Sequence, residues 1–460
     1  MFFDSDIARS AERLVKTQAA RQSQPAVDQA LRVAQDSMVF SPAARSSVGK
    51  AVNDAVAKST NQTVSDAAQF TSGSIDDLWF KGNDWEHNEI VDKAIAELQQ
   101  AQHEVRIQTY TLDFQSESVD KLFKALAQKQ QQNPNFKVFM VYGGELKIDP
   151  KSFAKTFNQT EMRAALQKYG VKADVASFLK MPTLGLDHSK SFLFDGEWGA
   201  LGGVNIQNHP SKDLMAKVSG PVVDSMNEDF ESAWADAKVR FRYDGKTFTD
   251  LGNQPLPAPV HGAPVVSPNR NVPMTMLTKT DRDFTFSGGH ANDADQGLIA
   301  AINAAKTSIK LKTPNFNDPA VYEALDAAAR RGVKIQMMTA KRFNQYRSII
   351  DGANNDMAIQ KFWAQLPEES RNNFEMRWFL KDGDTEPTNN DHTKYMSVDG
   401  VWSYIGSQNM DGQSWKRSRE MGIGIDDAQQ TQALDAQIFD GDWARAKQIP
   451  LPQQAKTSLG

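Results

Sequence analysis

The chain has 460 residues and no cysteine, which excludes disulfides, thiolate metal sites and a cysteine nucleophile. Nor does it contain a run near the ~18 apolar residues that a membrane-spanning helix needs. The opening MFFDSDIARSAERLV lacks both a basic start and an apolar centre, so no cleaved signal peptide is expected. Two locations stay open on these grounds, the cytoplasm or export by a route that uses no leader. A basic surplus is also missing. Lys and Arg number 52 against 57 Asp and Glu, a net charge of −5. The cations are dispersed, and the densest group, Lys416-Arg417-Arg419, is expected on the surface. A nucleic-acid groove calls for a clustered basic stripe, so composition weighs against a nuclease. It does not remove that reading, because a local positive cleft can coexist with an acidic chain. Histidine is scarce at seven residues, and His87, His103, His209, His261 and His290 lack metal-ligand spacing to one another. Of these, His209 lies near enough in sequence to Asn205 to line a pocket there.

The other two histidines head a pattern written twice, about two hundred residues apart. The first copy reads His188-Ser189-Lys190, four residues, Asp195, six residues, then Gly202-Gly203-Val204-Asn205. The second reads His392-Thr393-Lys394, four residues, Asp399, six residues, then Gly406-Ser407-Gln408-Asn409. A lone His-x-Lys means little, but this spacing in duplicate is specific. Phosphodiester cleavage in two displacements at phosphorus needs a nucleophile and a proton donor for the leaving oxygen. Two imidazoles serve both roles near neutral pH. Two lysines offset charge on the non-bridging oxygens and two Asn side chains donate to them, so no metal or other cofactor is required. His188 and Lys190 are two apart, as are His392 and Lys394, and each pair is expected on one face of a strand. Asp195 and Asp399 precede Gly and read as hairpin turns. Gly202-Gly203 and Gly406-Ser407 are expected to let backbone pass close to a ligand.

These residues resemble the phospholipase D superfamily, over roughly residues 75–445. HTKYMSVDGVWSYIGSQNMD matches the family signature fully, and HSKSFLFDGEWGALGGVN has Gly203 where Ser is frequent. The resemblance implies that both copies build one active site and that Asp195 and Asp399 are structural. It further implies His188 as nucleophile, forming a phosphohistidine, and His392 as acid. It places an acid that orients each histidine some twenty-five to thirty residues downstream. Asp213 fits this in the first half and Glu420 in the second.

The duplication extends beyond the motif. Ile90, Ala94, Leu98 and Ala101 mark a helix face, followed by a strand at Val105–Tyr110, a helix at Val119–Gln130 and a strand at Lys137–Tyr142. GLIAAINAAKT, Ile309–Lys312, VYEALDAAARRG and Val333–Met338 repeat that order, and Phe230-x3-Trp234 is mirrored by Phe439-x3-Trp443. The expected fold is α/β, with two pseudo-symmetric α/β/α sandwich lobes and one shared site. The expected units are an extension at 1–72, lobes at 73–250 and 275–450, and a linker at 251–274. Prolines at 255, 257, 259, 264, 268 and 273 make that linker an unpromising sheet participant. Residues 1–72 are rich in Ala, Ser and Gln, with weak helical faces at Ile7 and Leu14, and at Val27, Leu31, Ala34 and Met38. They read as a partly disordered tail or as helices packed on the first lobe, or else as the export signal of a bacterial effector.

Phe343, Tyr346, Phe362, Trp363, Phe374, Trp378 and Phe379 precede the second motif. They read as core or as one wall of an entrance for acyl chains, with Met181, Pro182, Leu184 and Leu186 opposite. The net charge of −5, the missing basic stripe and these aromatics favour an enzyme that acts on phospholipid at a membrane surface, by hydrolysis or head-group exchange, and a monomer is expected. The alternatives are a metal-independent nuclease of the same superfamily and a catalytically idle lipid-binding protein.

Overall fold

A computed structural model describes residues 45–59, 70–83, 87–143, 146–148, 155–157, 159–178, 186–265, 267, 271–280, 292–341, 355–387 and 391–451. The protein is α/β and its two lobes repeat one strand order. In the first, Phe70–Lys81 pairs with Asp213–Ser219, followed across the sheet by Trp198–Gly202, Ser191–Phe194, Glu104–Thr109, Lys137–Gly143, Ala173–Phe178 and Val239–Tyr243. In the second, Val272–Lys279 pairs with Ser418–Ile425, then Trp402–Gly406, Tyr395–Val398, Ser308–Thr313, Lys334–Thr339, Phe374–Trp378 and Lys447–Gln448. Three central strands of each lobe run parallel, as helix crossovers require.

The helices form where the sequence periodicity places them. Glu89–Gln100 buries Ile90, Val91, Ala94 and Leu98, and Glu117–Gln132 is capped by Ser116, which accepts from the Val119 N–H. Their counterparts are Asp293–Ala304, capped by Asn292, and Pro319–Arg330, capped by Asp318 with proline in the first turn. Each such pair covers the outer face of its own sheet. A third cluster draws on both lobes, joining Val141, Leu193 and Phe230 to Met338, Ile423 and Phe439. Every large aliphatic or aromatic side chain buried there contributes about 1.5–3 kcal/mol, so the lobes are docked through a core. A flexible tether between independent domains does not describe them.

Two boundaries differ from the sequence reading. Strand Phe70–Lys81 crosses position 72, and its first residues pair with Val272–Lys279 while the rest pairs with the first lobe. This one strand therefore joins the two sheets. Pro273 stands inside the sheet opposite Ser72, its carbonyl accepting from the Asp426 N–H. Proline is tolerated there because it sits near the strand start. The helix Ser47–Ala57 packs Val48, Val52 and Val56 into the second lobe, not the first, with Ser46 capping it and bonding Asp426. The weak helical faces at Ile7–Leu14 and Val27–Met38 lie outside the described residues.

Candidate active site

Each motif begins in a short connecting segment, not within a strand as the spacing suggested. His188–Lys190 leads from the two-residue strand Leu186–Asp187 into Ser191–Phe194, and His392–Lys394 leads into Tyr395–Val398. The hairpins that follow turn at Asp195-Gly196 and Asp399-Gly400. All four residues have positive φ, at 48°, 63°, 55° and 64° in that order, which is the backbone a tight primed hairpin turn demands. Each Asp then ties the turn to the neighbouring strand. Asp195 accepts from the N–H groups of Gln102, His103 and Glu104, and Asp399 from those of Lys306, Thr307 and Ser308. These carboxylates hold the motif strand against the strand beside it and take no part at the histidines.

The histidines meet their acids across the lobes. His188 Nδ1 lies 3.0 Å from both oxygens of Glu420, and His392 Nδ1 lies 2.6 Å from Asp213 Oδ2. Sequence order suggested the reverse, Asp213 with His188 and Glu420 with His392. The reason is topological. The strand carrying each acid starts beside the opposite motif, so His188 N–H donates to the Arg419 carbonyl at 2.9 Å and His392 N–H to the Lys212 carbonyl at 2.7 Å. A proton on Nδ1, facing the carboxylate, leaves on Nε2 the lone pair that a nucleophile needs.

Around these pairs two buried lysines face the two acids. Lys190 and Lys394 are buried, and each ammonium donates back to the carbonyl of its own motif histidine. Burial pushes Lys190 down to about 7, with Lys394 adding to the effect and Glu420 opposing it. Lys394 is pushed down to about 8, again by burial, against the pull of Asp213 and Glu420. His392 falls to about 3 through burial and then Lys394, whose Nζ is 2.7 Å from its Nδ1. Burial lifts Glu420 to about 7. Burial therefore works against the charged form of both lysines and of His392. An anion placed between the two lysines favours their charged forms and relieves the suppression of His392.

Asn205 and Asn409 close the motifs, and the carboxamide oxygen of each is buried with no partner among the described residues. The Asn409 amide makes a long contact of 3.4 Å to Asp411. Packing within the protein requires these glycines. A Cβ on Gly203 would lie 2.4 Å from Asp213 Oδ1, one on Gly202 2.3 Å from the Leu214 carbonyl, and one on Gly406 2.2 Å from the Tyr404 hydroxyl. Where the first lobe has Gly203, the second has Ser407, whose hydroxyl donates to Glu420 at 2.5 Å. The two acids are thus seated differently, one against a bare backbone and one on a hydroxyl.

The aromatic wall does not survive in its expected form. Phe362, Phe374, Trp378 and Phe379 are buried in the hydrophobic clusters, and Trp363 packs against one of them. Met181, Pro182, Leu184, Phe343, Tyr346 and His290 lie outside the described residues, while Leu186 is half-buried and pairs with Ser418. Arg419, expected at the surface, is fully buried against Asp229. His209 does stand near the site, its imidazole lowered by burial and then by Lys81, with Asp213 and Lys394 also acting on it. Of the remaining histidines, His87 pairs with Asp92 and His261 with Glu197. Tyr110 escaped notice in the sequence; its ring centroid is 5.4 Å from that of His188, and Lys190 Nζ is 5.7 Å from it.

Two duplicated lobes that pool their histidines, lysines and acids in one buried centre define an enzyme of phosphodiester chemistry. A family model described as "Cardiolipin synthase, PLD-like domain" matches residues 94–234 and 298–443. The chain belongs to that family and so to the phospholipase D superfamily, as a hydrolase or phosphatidyl transferase. A cardiolipin synthase of Listeria monocytogenes is 25% identical over 418 residues, covering 86% of this chain and 74% of that one. Cardiolipin synthase A of Pseudomonas putida is 22% identical over 379 residues, covering 80% and 69%. Among solved structures, phosphatidylserine synthase of Haemophilus influenzae aligns over 88% of this chain and 92% of its own, with a TM-score of 0.59 at 14% identity. That last likeness is one of fold. Among the described residues no helix is long and apolar enough to cross a membrane.

Proposed function

We propose that the protein is a phosphatidyl transferase or phospholipase that works through a phosphohistidine, with phospholipid as its substrate. The observation that carries this reading is the pair of crossed histidine–acid contacts, which gives one centre two oriented imidazoles and two lysines. His188 Nε2 attacks phosphorus, and the P–N bond forms as the bond to the leaving oxygen breaks. His392 supplies the proton to that oxygen. It then takes one from water or an alcohol, whose oxygen attacks phosphorus and returns the electron pair to His188. The topology is pseudo-symmetric between the histidines, and the order follows the family resemblance. Burial and then Lys394 disfavour the charged form of His392; the anionic phosphodiester between the lysines favours it, so the imidazole takes up its proton from solvent as the substrate binds.

Lys190 and Lys394 with Asn205 and Asn409 hold the non-bridging oxygens, so no metal enters the scheme. One chain supplies both halves, and a monomer suffices. Support for a lipid comes from the relatives, named for cardiolipin synthesis, and from the net charge of −5. The enzyme then works at a membrane surface as a peripheral protein. The test is mass spectrometry of mixed phospholipids and nucleic acids after incubation, with excess chelator and with His188→Ala as control. Head-group release or exchange that survives chelation and vanishes in the variant is expected. DNA cleavage with no action on any phospholipid would install the nuclease reading instead, and loss of turnover to chelator restored by a divalent ion would overturn the metal-free scheme.

A further inference from the structure

The residue before each orienting acid is a cation that crosses into the opposite lobe. Arg419 precedes Glu420 and is completely buried. Its guanidinium donates to Asp229 Oδ1 at 2.6 Å and to the Asp229 carbonyl at 2.9 Å, and lies 3.5 Å from Asp236, both on the first-lobe helix Val222–Asp236. Lys212 precedes Asp213 and reaches the other way. Its ammonium binds both oxygens of Asp442, on the second-lobe helix Gly441–Arg445, at 2.8 and 2.7 Å. Asp442 also binds the buried Lys312, which in turn lies 3.4 Å from Asp391.

The backbone completes each connection. Arg419 bridges Asp187, the residue before His188, and Lys212 bridges Asp391, the residue before His392. Asp187 accepts from the Ser189 N–H and Asp391 from the Thr393 N–H, each at 3.1 Å, which fixes the bend that carries the histidine. Successive side chains of an extended segment point to opposite sides. One side chain of each Lys212-Asp213 and Arg419-Glu420 pair can therefore anchor a helix while the next orients a ring. In sequence the arrangement appears as Ser-Lys-Asp-Leu at 211–214 and Ser-Arg-Glu-Met at 418–421, with Asp directly before both motif histidines.

We propose that Lys212 and Arg419 are positioning residues for the reaction, reciprocal latches by which each lobe fixes the acid that aligns the other lobe's histidine. The proposal rests on the two-histidine reading above. It gives the pseudo-symmetric halves a reason to stay in register: a slip between lobes displaces both acids from both rings together.

Lys212→Met is the informative variant, because Asp442 keeps Lys312 as a partner and the fold is not left with an unpaired buried charge. Loss of alignment lowers turnover steeply even far from the reacting atoms, by about 10- to 100-fold. We expect kcat on phospholipid micelles to fall by that factor while KM stays within about twofold and the thermal unfolding midpoint changes little. Lys212→Arg should recover most of the loss. Unchanged kcat in Lys212→Met, or a loss no larger than its loss of folded protein, overturns the proposal, as does a change confined to KM. His188→Ala is run alongside. If it keeps turnover, the two-histidine reading has failed; if it is inactive while Lys212→Met is normal, the latch alone has failed.

Discussion

Glu420→Gln separates what this carboxylate does for catalysis from what it does to the fold. When His188 attacks phosphorus its ring becomes cationic, and a unit positive charge 3.0 Å from a Glu420 oxygen is stabilised by about 5 kcal/mol at an effective dielectric near 20. Burial offsets part of that, as the rise of Glu420 to about 7 shows. A net loss of about 3–4 kcal/mol in the attacking step corresponds to a fall of about 10²–10³-fold in kcat. The amide also admits the wrong imidazole tautomer, with the proton on Nε2. Stability moves the other way. A carboxyl raised from 4.5 to about 7 binds its proton more tightly in the folded state. It therefore withdraws stability as pH climbs from the lower value through the upper, by about 3 kcal/mol in full. Glutamine does not titrate, so above pH ~7 the variant should unfold at equal or higher urea concentration than the parent. Steady-state turnover of phospholipid micelles and urea unfolding at two pH values make the comparison. A variant that keeps its kcat, or that loses activity only in proportion to lost folded protein, refutes the reasoning.

Two further changes probe the scaffold. Gly203→Ala puts a Cβ 2.4 Å from Asp213 Oδ1 and should push that carboxylate off His392, lowering kcat by about 10²-fold with KM little altered; steady-state kinetics decide it. Asp399→Asn turns an amide toward one of the backbone N–H groups now accepted and should cost about 1–3 kcal/mol in urea unfolding at pH 7. Burial works against the ionised Asp399, yet the N–H groups of Ser308, Thr307 and Lys306 hold its carboxyl below the usual range. That stability is present above the unfolded value and lost as pH falls through the folded one, so the gap between parent and variant should narrow below pH ~4.

Much of this molecule is legible in the sequence because its chemistry and folding use local spacing. The helix at Glu89–Gln100 and its counterpart at Asp293–Ala304 follow from apolar periodicity. The hairpins at Asp195-Gly196 and Asp399-Gly400 follow from a dipeptide that suits two left-handed residues in a row. What sequence order cannot convey is which half a side chain faces. Asp213 and Glu420 were found by their distance from a motif, but their partners depend on how two sheets dock. Arg419 looked like a surface cation because its partners Asp229 and Asp236 are nearly two hundred residues away. Trp378 and Phe362 show the converse limit. An aromatic-rich stretch reads alike whether it lines a cleft or fills a core, and here it fills a core.

The central claim is that both lobes build one reaction centre, and turnover by His188→Ala, His392→Ala and the double variant tests it most directly. Groups that act as a unit are non-additive. Each single variant should lose nearly all phospholipid turnover, and the double variant should be no worse than the poorer single one. Substantial activity in both single variants, with losses that multiply in the double, would mean two separate sites and would contradict the account.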